Sequence, residues 1–293
     1  MRTQKYYKLA MLNGFDFRTG KTINYRENIG KTVIVPSYDE HIKIYTLCTD
    51  TVLHASKKPL QCFVGASLPC SAFIVEGKPV VTSPDKCGFT KLTVLEEIPQ
   101  SKLADLFGFD YSQAIAPIHP LKLQAPTITN SELLLLQHWA SVWASVRASV
   151  WASVWDSVWD SVWASVRASV RASVWDSVGD SVGASVWDSV GDSVGASVWA
   201  SVGDSVWDSV RASVWDSVWA YIGSLFPNIK AWKYAPTNMQ GYPYQPCVDL
   251  WKKGIVPSFD GKTWRLHTNI DARIAYEISA KNLKELVLNR GQE

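Results

Sequence analysis

A tetrapeptide written over and over from Trp139 to Ala220 limits the fold of this chain more than any other feature. Its unit is X-(Ala or Asp)-Ser-Val. Across 21 units, X is Trp in 12, Arg in 4 and Gly in 5. Ser and Val hold through every complete unit, until Tyr221 and Ile222 replace them. Trp, Arg and Gly interconvert through the first base of one codon, and Ala and Asp through the second. That pattern points to recent expansion of a short DNA unit. Self-similarity at a fixed period has to be read before anything else, because it decides the architecture around it.

Two backbones compete for the tract. In an α-helix each unit advances by roughly 400°, so every column of the repeat creeps round the axis by roughly 40°. Ser, Val, Trp and Asp are mediocre helix formers, and each Gly costs about 1 kcal/mol relative to Ala. Asp pairs four apart, such as Asp156/Asp160 and Asp188/Asp192, repel mildly along a helix. A period of four also fits the two-residue period of a strand. The identical blocks 175–186 and 187–198 suit a β-solenoid with twelve-residue coils. The flanks favour the helix. Asn130-Ser131-Glu132 offers capping residues before four leucines. Trp215, Val218, Trp219, Ile222, Leu225 and Phe226 recur at helical spacing until Pro227.

The expected architecture is therefore α+β in three parts: a mainly β domain over 1–125, the repeat tract with helical flanks over 126–227, and a small α+β segment over 228–293. Expected strands in the first part are Tyr6–Leu12, Thr32–Val35, Ile42–Leu47, Ala72–Val75, Val80-Val81 and a single long one, Phe89–Ile98. Ser101–Phe107 reads as a short helix closed by Gly108. Ala116–Pro126 reads as a stiff linker. In the last part, Gln245–Lys253 reads as a helix stopped by Gly254. Val256–Lys262 holds a turn that feeds the strand Thr263–His267, Ala272–Ile278 reads as a second strand, and Ser279 as the cap of a final helix.

The net charge of +2 divides unevenly. The tract carries 4 Arg and 9 Asp, hence −5, and the remainder carries +7. No dense basic run marks a nucleic-acid surface. Met1–Leu9 lacks the apolar core of a secretory signal, and no stretch is apolar enough to span a membrane. Five Cys without C-x-x-C spacing fit reduced thiols in the cytoplasm.

Thr51–Ser56, Lys58-Pro59-Leu60, Ala72–Gly77 and Lys91–Leu95 resemble a small uncharacterised β domain of phage and bacterial proteins, with its "LHAS…PL" segment. Leu250-Trp251, Gly254, Val256–Gly261 and Trp264–His267 resemble the C-terminal piece of phage or gut-bacterial proteins that carry the same tetrapeptide tract. The resemblance covers about two thirds of the chain and brings no activity with it.

Chemistry is sparse. There is no G-x-S-x-G, no phosphate-binding glycine loop and no dinucleotide fingerprint. The five His are scattered, so no metal ligand set and no cofactor are expected. His54, between a strand and a Lys-Pro turn, is the one catalytic candidate, for a group transferase. The Trp ladder stands out more. Trp and Arg dominate binding hot spots and stack on bases, which singles out Trp151, Trp155, Trp159, Trp163, Arg167 and Arg171 as contact residues. Twelve indoles left in water exceed what a monomer tolerates, so something must cover many of them. The leading expectation is a non-enzymatic structural or interaction protein of phage or bacterial origin, its tract a spacer or self-association element. An enzyme with its site near His54 is the alternative, and nucleic-acid binding through Trp and Arg is a third reading.

Overall fold

A computed structural model describes residues 4–39, 41, 44–155, 174–175, 177–178, 189–192, 194, 211–236 and 239–288. Side chains are described except at 151–155, 211–213 and 287–288. The chain is α+β with antiparallel sheets. It divides into two compact units, the first mainly Met1–Tyr111 and the second mainly Ser112 onward.

The first unit holds two sheets. One has the order β1-β4-β7-β2, from Lys5–Met11, Cys70–Glu76, Lys91–Ile98 and Thr32–Ile34. The other has the order β3-β6-β5, from Leu53–Ala55, Cys87–Phe89 and Val81–Thr82. Tyr6, Phe73, Val75, Leu92 and Val94 of the first sheet form one buried cluster with Leu53, Ala55 and Phe89 of the second. Alternate residues of each strand supply that cluster, as a pleated backbone requires. A second aromatic group, Phe63, Phe107, Phe109 and Tyr111, packs at ring separations of 5.1–6.5 Å. The Tyr111 hydroxyl accepts from the Cys70 N–H at 3.0 Å and donates to its carbonyl at 2.7 Å, tying off that end of β4. Gly108 ends the helix α1 (Leu103–Phe107) in the left-handed region, at φ 73°, as a C-terminal glycine does.

Two strand expectations in this unit are corrected. Phe89–Ile98 is not one strand: the chain breaks at Thr90, and β6 and β7 belong to different sheets. Phe89 and Leu92 are both buried although they stand three apart, so the two-residue alternation changes phase at the break. Of Ile42–Leu47, the described residues Ile44–Leu47 form no strand, and Ile44 is 82% exposed. β-branched residues favour a strand only where a neighbouring strand and a buried face receive them.

The second unit is built on helices. Beyond α2 (Tyr111–Ile115), α3 runs from Asn130 to Trp155 and α4 from Arg211 to Ser224, so both ends of the repeat tract are helical. Thr129 caps α3. Glu132 reaches back to its N–H at 2.9 Å, as the third residue of a capping box does, and the Thr129 hydroxyl accepts from the Ser131 N–H at 3.3 Å. α5 (Gln245–Lys252) packs on both tract helices. A sheet ordered β10-β9-β8, from Arg273–Ser279, Thr263–Thr268 and Val256–Phe259, packs through β8 on α4. Within Val256–Lys262 the turn falls at 260–262, and Val256–Phe259 before it is a strand. Pro257 is tolerated there because β8 lies at the sheet edge. Ser279 caps α6 (Ala280–Leu288), its Oγ accepting from the Asn282 N–H at 3.1 Å. Within Ala116–Pro126, Leu121 is buried and the Ile118 carbonyl accepts from the Trp251 indole at 2.9 Å.

The repeat itself sorts by column. Val142, Val146, Val150, Val174, Val178, Val190, Val194, Val214 and Val218 are each 3% exposed or less. These are all the tract valines whose side chains are described. In α3 three successive valines share a face, because a creep of roughly 80° over two units stays inside an apolar stripe of about 100°.

Candidate functional site

A cavity of about 300 Å³ in the first unit is lined by Lys8, Arg18, Lys86, His54 and Cys62, with Phe17, Val64 and Cys48 among their neighbours. No Asp or Glu lines it. Each cation is placed by local folding. Lys8 comes from β1, between Tyr6 and Ala10 on the strand face that feeds the core cluster. Its ammonium lies 5.1 Å from the centre of the Tyr25 ring. Arg18 is carried by a loop folded round Asp16. The carboxylate of Asp16 accepts from the Thr19 N–H and hydroxyl, both at 2.8 Å, and from the Ile23 N–H at 3.3 Å. Burial opposes its ionisation, but these hydrogen bonds and Lys8 prevail and hold it below the usual carboxylate range. Lys86 follows the tight turn Ser83–Lys86, closed by the Ser83 N–H on the Lys86 carbonyl at 2.7 Å. Among the described residues none of these three cations has an ion pair.

His54 sits on β3 opposite Gly88. Its Nε2 accepts from the Cys48 N–H at 2.8 Å, a bond aimed by a left-handed Cys48 at φ 65°. Burial, and then Lys8, Lys86 and Arg18, push its pKa down to about 4. The imidazole is neutral, and Nδ1 carries its proton. Its one lone pair is occupied, so it has none to offer as a general base. Cys62 donates to the Tyr7 carbonyl at 3.1 Å. Burial pushes its thiol up to about 11, away from the thiolate a nucleophile needs. The arrangement can hold a ligand.

In the repeat tract, Trp151 and Trp155 lie in the last turns of α3, where the backbone alone is described. Trp159, Trp163, Arg167 and Arg171 lie outside the described residues. Of the other described indoles, Trp175 is 38% exposed, while those near the ends of the tract are covered within the second unit. Trp139 is 1% exposed and meets Tyr244 edge-on at 6.4 Å. Trp143 packs edge-on against Phe259 and Trp264, with the Arg147 guanidinium 5.1 Å from its ring. Its indole donates to Oδ2 of Asp216 at 2.6 Å. That carboxyl is buried, and burial pushes its pKa up to about 7 against the pull of Trp143 and Arg147.

No protein-family model, curated protein or solved structure matches this chain.

The cation set escaped the sequence reading, although one signal was available. In KYYKLAM the alternation places Lys8 on the same face as Tyr6 and Ala10, and a lysine at a core-facing position calls for a function. Arg18 and Lys86 gave no such signal, since they reach the cavity only through the fold. Among the described residues no three His, Cys, Asp or Glu side chains converge as a metal site. No described helix is long and apolar enough to cross a membrane.

Proposed function

We propose that this is a non-enzymatic interaction protein whose repeat tract is a helical, length-variable element through which copies of the chain associate. The observation that carries this reading is the division of labour within the repeat. The invariant valine column is buried at every described position, whereas the X column exchanges Trp, Arg and Gly without regard to size or charge. A column that tolerates such exchange is not what holds the helices down. It is left for contact, and its identical units offer a second copy the same surface many times over, as self-association requires. The X residues Trp139, Trp143 and Trp219, which pack within the second unit, lie near the two ends of the tract, whereas Trp175 is 38% exposed. Five unpaired thiols suit a reducing compartment. An enzyme centred on His54 is not favoured, because the imidazole has no free lone pair.

Light scattering on the full chain tests the proposal. Replacing Trp151, Trp155, Trp159 and Trp163 by Ala should leave the melting temperature of the folded ends unchanged and lower the mass from an oligomer to a monomer. A wild-type chain that is monomeric at tens of micromolar, or a variant of unchanged mass, would end this reading.

A further inference from the structure

We propose that the cavity beside His54 is a binding site for a small organic phosphate, a phosphate monoester with an apolar body. This goes beyond the association proposed above and does not depend on it.

The charge argument comes first. Lys8, Arg18 and Lys86 converge on one cavity with no carboxylate in its lining and no ion pair of their own among the described residues. Cations placed together repel, and a protein gains nothing from the arrangement unless an anion visits. A dianion matches the three better than a single carboxylate does. Phosphate also accepts several hydrogen bonds at once, and lysine and arginine are its usual donors. Burial, and to a smaller extent Lys86, act against the charged form of Lys8 and outweigh the support it has from Cys62 and Asp16, so a further anion would favour that charge. His54 contributes as a neutral donor through Nδ1, because Cys48 occupies Nε2.

The body of the ligand follows from the adjoining space. A second cavity of about 240 Å³ shares Lys8, Arg18 and His54 with the first; Ile23, Tyr25, Val35, Val52 and Leu53 give it an apolar wall, and Thr19, Thr22 and Ser37 a polar one. Its two carboxylates are Asp16, already committed to its own loop, and Asp50. A phosphate held by the shared cations can therefore direct an apolar group of ring size into the second cavity. Both cavities lie within the first unit.

Calorimetric titration of the full chain tests this, with inorganic phosphate, phenyl phosphate and succinate as probes at constant ionic strength. Phosphate should bind saturably at one site, and phenyl phosphate about tenfold tighter, through the added apolar burial. Arg18→Gln and Lys86→Gln should each weaken both by about tenfold, the worth of a hydrogen bond to a charged group. Lys91→Gln, an exposed change on β7, should alter neither. Melting temperatures of the three variants check that they fold. Absence of saturable heat with either phosphate, or variants at Arg18 and Lys86 that bind like the wild type, would overturn the site. Succinate binding as tightly as phosphate would overturn the ligand class. Phenyl phosphate binding no tighter than phosphate would overturn the role given to the second cavity.

Discussion

Asp216→Asn should stabilise the second unit in mildly alkaline solution far more than in mildly acidic solution. Asp216 is 2% exposed, its Oδ2 accepts from the Trp143 indole, and its Oδ1 has no hydrogen-bond partner among the described residues. Its folded pKa of about 7 lies well above the ordinary aspartate value of 3.8. Between those two values the folded chain keeps a proton that the unfolded chain has released. Stability therefore falls as pH rises through that window, at about 1.4 kcal/mol per unit, and levels off above about 7. Asparagine keeps an acceptor for the indole and does not titrate. The advantage of the variant over the wild type should accordingly grow by about 3 kcal/mol between about pH 5 and about pH 8. His54, with its pKa pushed to about 4, titrates in the opposite sense and makes the whole chain gain stability as pH rises from 4. Comparing variant with wild type at each pH cancels that contribution. Urea unfolding followed by tryptophan fluorescence is the assay, since all 15 Trp lie beyond residue 138. An advantage equal at the two pH values would refute the claim that a buried carboxylate is the cause.

The same assay separates the columns of the repeat. Val146→Ala, at a site with no exposure, should cost about 2 kcal/mol. Arg147→Ala next to it should cost under about 1 kcal/mol, the scale of its contact with the Trp143 ring; equal losses would contradict the buried valine column. In the C-terminal sheet, His267 is held between the Ala272 carbonyl at 2.9 Å and the Ser258 hydroxyl at 2.7 Å. Its Nδ1 donates to the carbonyl, so its Nε2 accepts from the serine. Ser258→Ala should leave that nitrogen buried without a donor, at a cost of about 1–2 kcal/mol, and a loss too small to resolve would argue against this tautomer. Burial holds His267 below the ordinary histidine value, so its contribution is lost as pH falls from that value towards the folded one.

Where structure is set by neighbours along the chain, the residues announced it. The strand at Tyr6, the helix stopped by Gly254, the Ser279 cap and the helices entering and leaving the tract all rest on local spacing and capping chemistry. The failures share the opposite cause. The apolar positions change phase at Thr90, where the chain passes from one sheet to the other, and local spacing does not record which sheet each strand joins. His54 stood out as a candidate, but its neutral state depends on the N–H of Cys48 and on three cations gathered from distant parts of the first unit.

By itself the repeat determined a period, an invariant valine and a tryptophan-rich column. It drew attention to the tryptophan. Tertiary structure decided that valine is the column facing inward, while Trp139 and Trp143 are received by Tyr244, Phe259 and Trp264 of the C-terminal segment. The reason is geometric: a four-residue unit keeps any column on one helix face for only a few turns. What is buried therefore depends on which elements pack opposite those turns, and the tetrapeptide does not encode that.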